Sequence, residues 1–369
     1  MKTYPGRLGL QQRILPSYRV PFFDRLAQAC EGGLSVFAGE ARPGESVRPG
    51  IPQTAEYNHA ENLHVLPGHS YLLYQRGLLE WLERWNPDAL IVEANPRHLS
   101  TPAGVRWMQA RGRRVLGWGL GAPPTTGPLR ELRRQRRREF LRRFDGLIAY
   151  SQRGAAEYEA LGFPKERIFV AHNSVAPAPS APPAVRPEAV ERPSLLYVGR
   201  LQRRKRLDLL LAACARLESR PRLVIVGDGP EGADLKELAA DIYPQAEFAG
   251  EHHGEALEPY FSAADLFVLP GTGGLAVQEA MSHGLPVIVA QGDGTQDDLV
   301  RAGSGWQVPP DDPEALLAAL REALGDVPRL RRMGAEAYRI TAEEINLEKM
   351  VEAFVEALGA DKVSIKQAP

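Results

Sequence analysis

Long hydrophobic runs are missing from this chain. No stretch of about 18 consecutive apolar residues occurs, which argues against a membrane-crossing helix. The amino-terminal stretch MKTYPGRLGLQQRILP lacks the apolar core of a secretory leader, so the protein is expected in the cytoplasm. Cysteine is scarce. Cys30 and Cys214 stand far apart on apolar helical faces, with no metal-ligand partner at useful spacing, and read as buried thiols of a reducing compartment. No D-x-D pair follows a strand end, and the histidines are scattered apart from His252-His253, which reads as an exposed loop. No metal site is therefore expected. A formal net charge of -1 provides no global field for nucleic acid or membrane, and no aromatic platform for nucleic acid is evident.

The chain does have size. Its 369 residues suffice for two domains, and 44% apolar with 25% charged content is ordinary for a globular protein. Short apolar runs alternate with helical stripes: Leu8–Leu15, Leu34–Phe37, Pro87–Glu93, Val115–Trp118 and Asp145–Ser151 read as strands. Residues 39–62 read as a loop with at most a short edge strand. A helix is expected to carry Tyr71, Leu72, Leu78, Leu79 and Leu82 up to Trp85. Such alternation predicts a parallel, doubly wound α/β sheet. The segment APAPSAPPAVRPEAVERP cannot form a regular core element, so a linker is placed at 177–193, between domains at 1–176 and 194–340. A last helix with Leu347, Met350, Val351, Phe354, Val355 and Leu358 on one face lies in 341–369, followed by an unpatterned tail from Gly359.

The second half centres on DLFVLPGTGGLAVQEAMSHGLPVIVA. An apolar strand leads into Gly271-Thr272-Gly273-Gly274, a helix opens at Leu275, and Gly284 ends it. Glycines let a ligand approach the backbone, and a helix amino terminus favours an anion, so the turn suits a phosphate. Glu279 lies too far along the helix to be a cap. It reads equally well as a sugar-hydroxyl ligand or as a solvated surface residue. Gly199-Arg200-Leu201 with Lys205 forms a second glycine turn carrying cations, which suits a diphosphate. Gly227-Asp228-Gly229-Pro230 forms a third. In the first half, Glu93, Asn95 and Arg97 cluster at a strand's carboxyl end, where open α/β sheets collect ligands, and Arg19 follows the first strand.

These motifs together, over about residues 195–320, resemble glycosyltransferase family 4. The likeness lies in Gly199-Arg200-Leu201 with Lys205, Gly227-Asp228-Gly229-Pro230-Glu231, Asp265, Pro270, Glu279-Ala280-Met281 and Gly284-Leu285-Pro286-Val287-Ile288. The resemblance implies the GT-B fold: two Rossmann-like domains facing a cleft, with the last helix crossing back to the first. It implies retaining transfer from a nucleotide diphosphate sugar to a sugar, lipid-linked or small-molecule acceptor, without metal or cofactor. Arg200, Lys205 and Glu279 would be the catalytic and donor-binding side chains. Gly199, Gly229, Gly271, Thr272, Gly273, Gly274 and Leu275 would line the donor, and Arg19, Glu93, Asn95 and Arg97 the acceptor. The chain departs from the family at Gly271, where the first of two glutamates eight positions apart would stand. It also has Leu120 in place of a frequent histidine, and Ser17-Tyr18-Arg19 in place of a glycine-rich loop. A GT-B nucleotide-sugar epimerase and a non-catalytic nucleotide-sugar binder are the alternatives.

One charge run stands out. RELRRQRRREFLRR, residues 130–143, holds eight arginines against two glutamates. Such a run is usually a solvated helix face. The sharper reading is a patch for an anionic membrane surface, placing the protein peripherally at the inner face, at about 1 kcal/mol per basic residue.

Overall fold

The computed structural model describes residues 2–42, 45, 47–65, 71–292 and 294–360. The chain divides into two units, one of residues 1–175 with 347–369, the other of residues 176–346.

The first unit opens with strand β1 (Leu8–Ile14), helix α1 (Val20–Gln28), and strands β2 (Leu34–Gly39), β3 (Glu56–His59), β4 (Glu61–Val65) and β5 (Leu72–Arg76). Helix α2 (Leu78–Trp85), strand β6 (Ala89–Glu93), helix α3 (Thr101–Gln109), strand β7 (Arg114–Gly119) and helix α4 (Arg130–Leu141) follow. Strand β8 (Gly146–Ala149), helix α5 (Gln152–Ala160) and strand β9 (Ile168–Val170) complete this stretch. Seven strands form a parallel sheet in the order β3-β2-β1-β6-β7-β8-β9. The strand order reverses at β1–β6, the position where such sheets leave a crevice beyond their carboxyl ends.

One expectation fails here. Tyr71 and Leu72 do not begin a helix. Residues 72–76 pair antiparallel with β4, and the helix starts only after Gly77, whose φ of 83° an L side chain would resist. The apolar spacing across 71–82 joined a strand to a helix, because either period fits so few residues. Within 39–62, read as a loop with at most a short edge strand, β3 is such an edge strand, paired with β2 at the end of the seven-stranded sheet, and β4 begins at Glu61; positions 43, 44 and 46 lie outside the described residues. Buried glutamines hold the β4–β5 hairpin in place. Gln11 Nε2 donates to Gln75 Oε1 at 2.8 Å, and Gln75 Nε2 to the Gln12 carbonyl at 3.0 Å.

The second unit runs β10 (Ser194–Val198), α6 (Leu207–Ala215), β11 (Arg222–Val226), α7 (Gly232–Ile242), β12 (Glu247–Gly250), α8 (Glu258–Ala263) and β13 (Leu266–Leu269). It continues α9 (Leu275–Ser282), β14 (Val287–Ala290), α10 (Thr295–Leu299), β15 (Gly305–Val308), α11 (Pro313–Leu324) and α12 (Val327–Arg339). Its parallel sheet has the order β12-β11-β10-β13-β14-β15, reversing at β10–β13. The apolar runs Leu195–Val198, Leu223–Val226 and Leu266–Leu269 are buried throughout, as strands covered on both faces must be. Asp312 caps α11 by accepting from the Ala315 amide at 2.9 Å, with Pro313 in the first turn.

The proline-rich segment is fastened to the second unit. Arg186 donates to the carbonyls of Ala264 at 2.7 Å, Phe261 at 2.9 Å and His283 at 3.0 Å. A π-helical turn at Ile340–Glu344 precedes helix α13 (Leu347–Gly359). This helix belongs to the first unit: Phe354 meets Phe22 at 4.9 Å and Trp118 at 5.0 Å between ring centroids, and Met350, Val351 and Val355 are buried with them. The tail after 360 lies outside the described residues.

Candidate active site

The polar loops of the second unit gather at the carboxyl ends of its strands, around the β10–β13 reversal. Three loops interlock there through glycine. A Cβ on Gly227 would stand 2.0 Å from the Gly199 carbonyl oxygen, and one on Gly229 would stand 2.3 Å from that of Leu201. Leu201 in turn donates its amide to the Asp228 carbonyl at 2.9 Å. These glycines serve the approach of backbone to backbone.

The same holds for Gly271. A Cβ there would lie 2.3 Å from the Arg204 carbonyl oxygen and 2.4 Å from the Cα of Lys205. The Thr272 amide donates to that Arg204 carbonyl at 3.0 Å. The expectation that every amide of residues 271–274 points at a ligand is therefore corrected. The Thr272 amide is occupied, and Gly271 accommodates the neighbouring loop. At Gly273, with φ of 76°, a Cβ would meet both Arg204 Nη1 and Lys205 Nζ at 3.3 Å, so the turn lies directly against two cations.

Lys205 is buried and donates from Nζ to the Thr272 carbonyl at 2.8 Å. Burial, and then the adjacent Arg204, depress its pKa to about 8. Arg204 was not singled out from the sequence, being one of several flanking arginines; its proximity to Gly273 is a property of the folded turn. Arg206 is committed elsewhere, to Asp208 at 3.0 Å and to Asp311. Arg200 is exposed at the end of β10, and its carbonyl accepts from the Tyr197 hydroxyl at 3.3 Å. A cavity of about 600 Å³ adjoins this turn, lined by Arg203, Arg204, Arg206, Gly271, Thr272 and Asp311 among others.

Helix α9 begins at Leu275 with no side chain capping its amides, and Gly273 and Gly274 lead into it. Glu279 sits one turn further along, half-buried. Burial, and then the neighbouring Glu258, push its carboxyl above the usual range. No ion pair engages Glu279 among the described residues, so its oxygens can accept from hydroxyl groups. Three segments thus present cations, a glycine turn at a helix amino end, and a carboxylate.

In the first unit, Glu93 Oε1 accepts from the Arg13 amide at 2.6 Å, and the Asn95 side chain accepts from the Arg97 amide at 3.1 Å. The structure brings Glu93, Asn95 and Arg97 together at the end of β6. Arg19 is different. It is buried, donates to Asn173 Oδ1 at 2.6 Å, and lies 5.4 Å from the ring centroids of both Trp118 and Tyr150. It fastens the turn after β1 to the ends of β7, β8 and β9. Leu120 is exposed. Cys30 and Cys214 are free buried thiols, with burial pushing each pKa up to about 12. Among the described residues, no three His, Cys, Asp or Glu side chains are grouped so as to hold a metal ion.

Residues 26–174 match the family described as Glycosyl transferase 4-like domain, and residues 192–326 the one described as Glycosyl transferases group 1. The chain belongs to the family 4 glycosyltransferases. Among relatives, this family 4 chain is 36% identical over 151 residues to a GDP-mannose-dependent alpha-mannosyltransferase of Mycolicibacterium smegmatis, covering 40% of this chain and 38% of that one. It is 32% identical over 242 residues to a D-inositol 3-phosphate glycosyltransferase of Thermobispora bispora, covering 58% and 56%. The matches thus span from about a quarter to just over half of the curated relatives' length. The same fold is also seen in solved structures. HepE of Anabaena in complex with UDP superposes with a TM-score of 0.69 at 16% identity, covering 97% of this chain and 99% of that one. Sucrose-phosphate synthase of Thermosynechococcus elongatus gives 0.65 at 19%, covering 94% and 97%. Both sheets here are the Rossmann-like sheets of the GT-B fold.

Proposed function

We propose that this protein transfers a sugar from a nucleotide diphosphate sugar to an acceptor hydroxyl, with retention at the anomeric carbon. The observation that carries the reading is the turn at Gly273, where Lys205 and Arg204 lie against a glycine that leads into the uncapped amino end of α9. As the glycosidic bond breaks, negative charge grows on the departing diphosphate. Fixed cations in a partly dry site favour that charge, and their gain is largest in the transition state. Arg200 and the first amides of α9 add to this, and Glu279 accepts from the ribose hydroxyls. The acceptor is held by the first unit at Glu93, Asn95 and Arg97. No metal or cofactor takes part in this scheme. The relatives named for GDP-mannose and inositol phosphate, and the fold neighbour holding UDP, support a nucleotide-linked donor and a polyol acceptor.

We place the protein in the cytoplasm, touching the inner membrane face through α4. No helix among the described residues is long and apolar enough to cross a membrane. Helix α4 exposes Leu132 beside Arg130, Arg133, Arg134 and Arg136, with Leu129 exposed just ahead of it. Leucines among arginines suit an interface. Arg137 and Arg138 are not part of that surface. They donate to the carbonyls of Pro123 at 2.7 Å and Leu161 at 2.8 Å.

Titration with UDP, GDP and ADP, followed by turnover assays over the matching nucleotide sugars, tests the reading. Tight binding of one diphosphate and transfer from its sugar are expected. Binding without transfer or hydrolysis across the panel and a range of acceptors would leave a nucleotide-sugar binder instead.

A further inference from the structure

We propose that the first unit carries a phosphoryl-binding site, made by Arg13, Arg42 and Arg97 around the ring of Tyr71 and backed by His64 and His98. The inference rests on the donor-site reading only for calling the phosphoryl group part of the acceptor; the site stands on its own geometry.

That geometry is non-local. The β4–β5 hairpin crosses the carboxyl end of β1, with Asn62 Nδ2 donating to the Arg13 carbonyl at 2.8 Å. Residues 97–99 are bonded to the hairpin, since the Leu73 amide donates to the Arg97 carbonyl at 2.9 Å and the Leu99 amide to the Leu73 carbonyl at 2.7 Å. Three chain segments therefore converge on Tyr71. The guanidinium carbons of Arg42, Arg13 and Arg97 lie 4.5, 5.9 and 5.9 Å from its ring centroid, and the His64 ring lies 5.5 Å away. The cluster sits where β1 and β6 part, the reversal point of this sheet.

The cluster is rich in cationic side chains: Arg13, Arg42 and Arg97 gather at one ring, with Glu45 ion-paired to the first two and Glu93 accepting from the Arg13 backbone amide. Glu45 is shared by Arg13 at 2.7 Å and Arg42 at 2.9 Å. Burial raises the Glu45 pKa, but the hydrogen bonds from those two arginines outweigh it, and the pKa falls to about 2. Glu93 receives the Arg13 amide and faces His98 Nε2 at 3.5 Å. His98 is 1% exposed, and among the described residues neither ring nitrogen has a hydrogen-bond partner; His64 Nε2 is also buried without one among them. Buried polar atoms are nearly always satisfied, so unsatisfied ones beside arginines point to a missing oxygen-rich ligand. Burial, with Arg13 adding to it, lowers the pKa of both imidazoles. A phosphate monoester supplies the oxygens and the charge that guanidinium forks match.

The test titrates the full chain, without donor, with inorganic phosphate and with glycerol 3-phosphate. Wild type should bind both, and Arg97→Gln should weaken both at least about tenfold, the loss of one charge-assisted hydrogen bond. The Arg97 side chain is exposed, so the urea midpoint of this variant should match wild type. Tyr71→Leu, which removes the ring but no charge, should also weaken binding. UDP affinity should be unchanged in both variants, because the donor site lies in the other unit. Vesicles of phosphatidic acid in neutral lipid separate the sources: a lipid acceptor binds them through Arg97, a soluble one does not, and either supports the site. Phosphate binding that survives Arg97→Gln and disappears in Lys205→Met would overturn the proposal, as would no binding of any phosphate probe by a chain that binds UDP. Loss of UDP binding alone, with phosphate still held through Arg97, would overturn the donor reading and leave this site standing.

Discussion

Gly271→Ala is the most informative single change in the donor half of the molecule. The added methyl would stand 2.3 and 2.4 Å from backbone atoms of Arg204 and Lys205, which cannot rotate away as a side-chain tip could. Overpacking of this kind costs about 1–3 kcal/mol. If the loops part, the Thr272–Arg204 backbone bond goes as well, at about 0.5–1.5 kcal/mol, and the charged Lys205–Thr272 bond, at about 1.5–3 kcal/mol. A loss of at least about 2 kcal/mol is expected, a large share of a domain's stability. Trp306 is the single tryptophan of the second unit, so urea unfolding followed by its fluorescence, with the first unit's tryptophans as internal reference, reads that unit. Gly271→Glu, which restores the carboxylate of the family pattern, should lower UDP affinity and turnover, because no side chain fits while Arg204 and Lys205 hold their places. An unchanged urea midpoint for Gly271→Ala, or higher turnover for Gly271→Glu, would refute the packing argument.

Three further outcomes are expected. Lys205, with its pKa near 8, is largely charged at pH 7 and must take up a proton to meet a diphosphate above pH 8, so UDP affinity should fall up to tenfold per pH unit there; in Lys205→Met that slope should vanish. Glu279→Gln should cost about 1–3 kcal/mol with a normal donor and much less with a 2′-deoxy donor, the non-additivity of a direct contact; equal losses with both donors would make Glu279 a surface residue. Replacing Arg130, Arg134 and Arg136 by Gln should release the protein from anionic vesicles at low salt while UDP binding stays intact, and a wild type that ignores such vesicles would leave α4 a solvated face.

Much of the second unit is legible in the order of its residues. The apolar runs at Leu195–Val198, Leu223–Val226 and Leu266–Leu269 read as strands buried on both faces, and Asp312-Pro313 and Gly284 mark helix ends by their own backbone chemistry. The apolar face of 347–358 is likewise complete in the sequence. These signals are local, since periodicity and capping act over one or two turns. What the tertiary structure decided is which distant groups meet. Gly271 read as an opening for a ligand, and proved to be the seat of another loop, because the contact runs between residues some 67 positions apart. Arg19 read as a ligand contact, and folding enclosed it between Trp118 and Tyr150. Tyr71 read as part of a helix, until pairing with β4 made its neighbours a strand and turned its ring toward three arginines. Charge and hydrogen-bonding capacity are written in the sequence, but whether a buried polar atom finds its partner depends on packing between segments that the sequence does not list side by side.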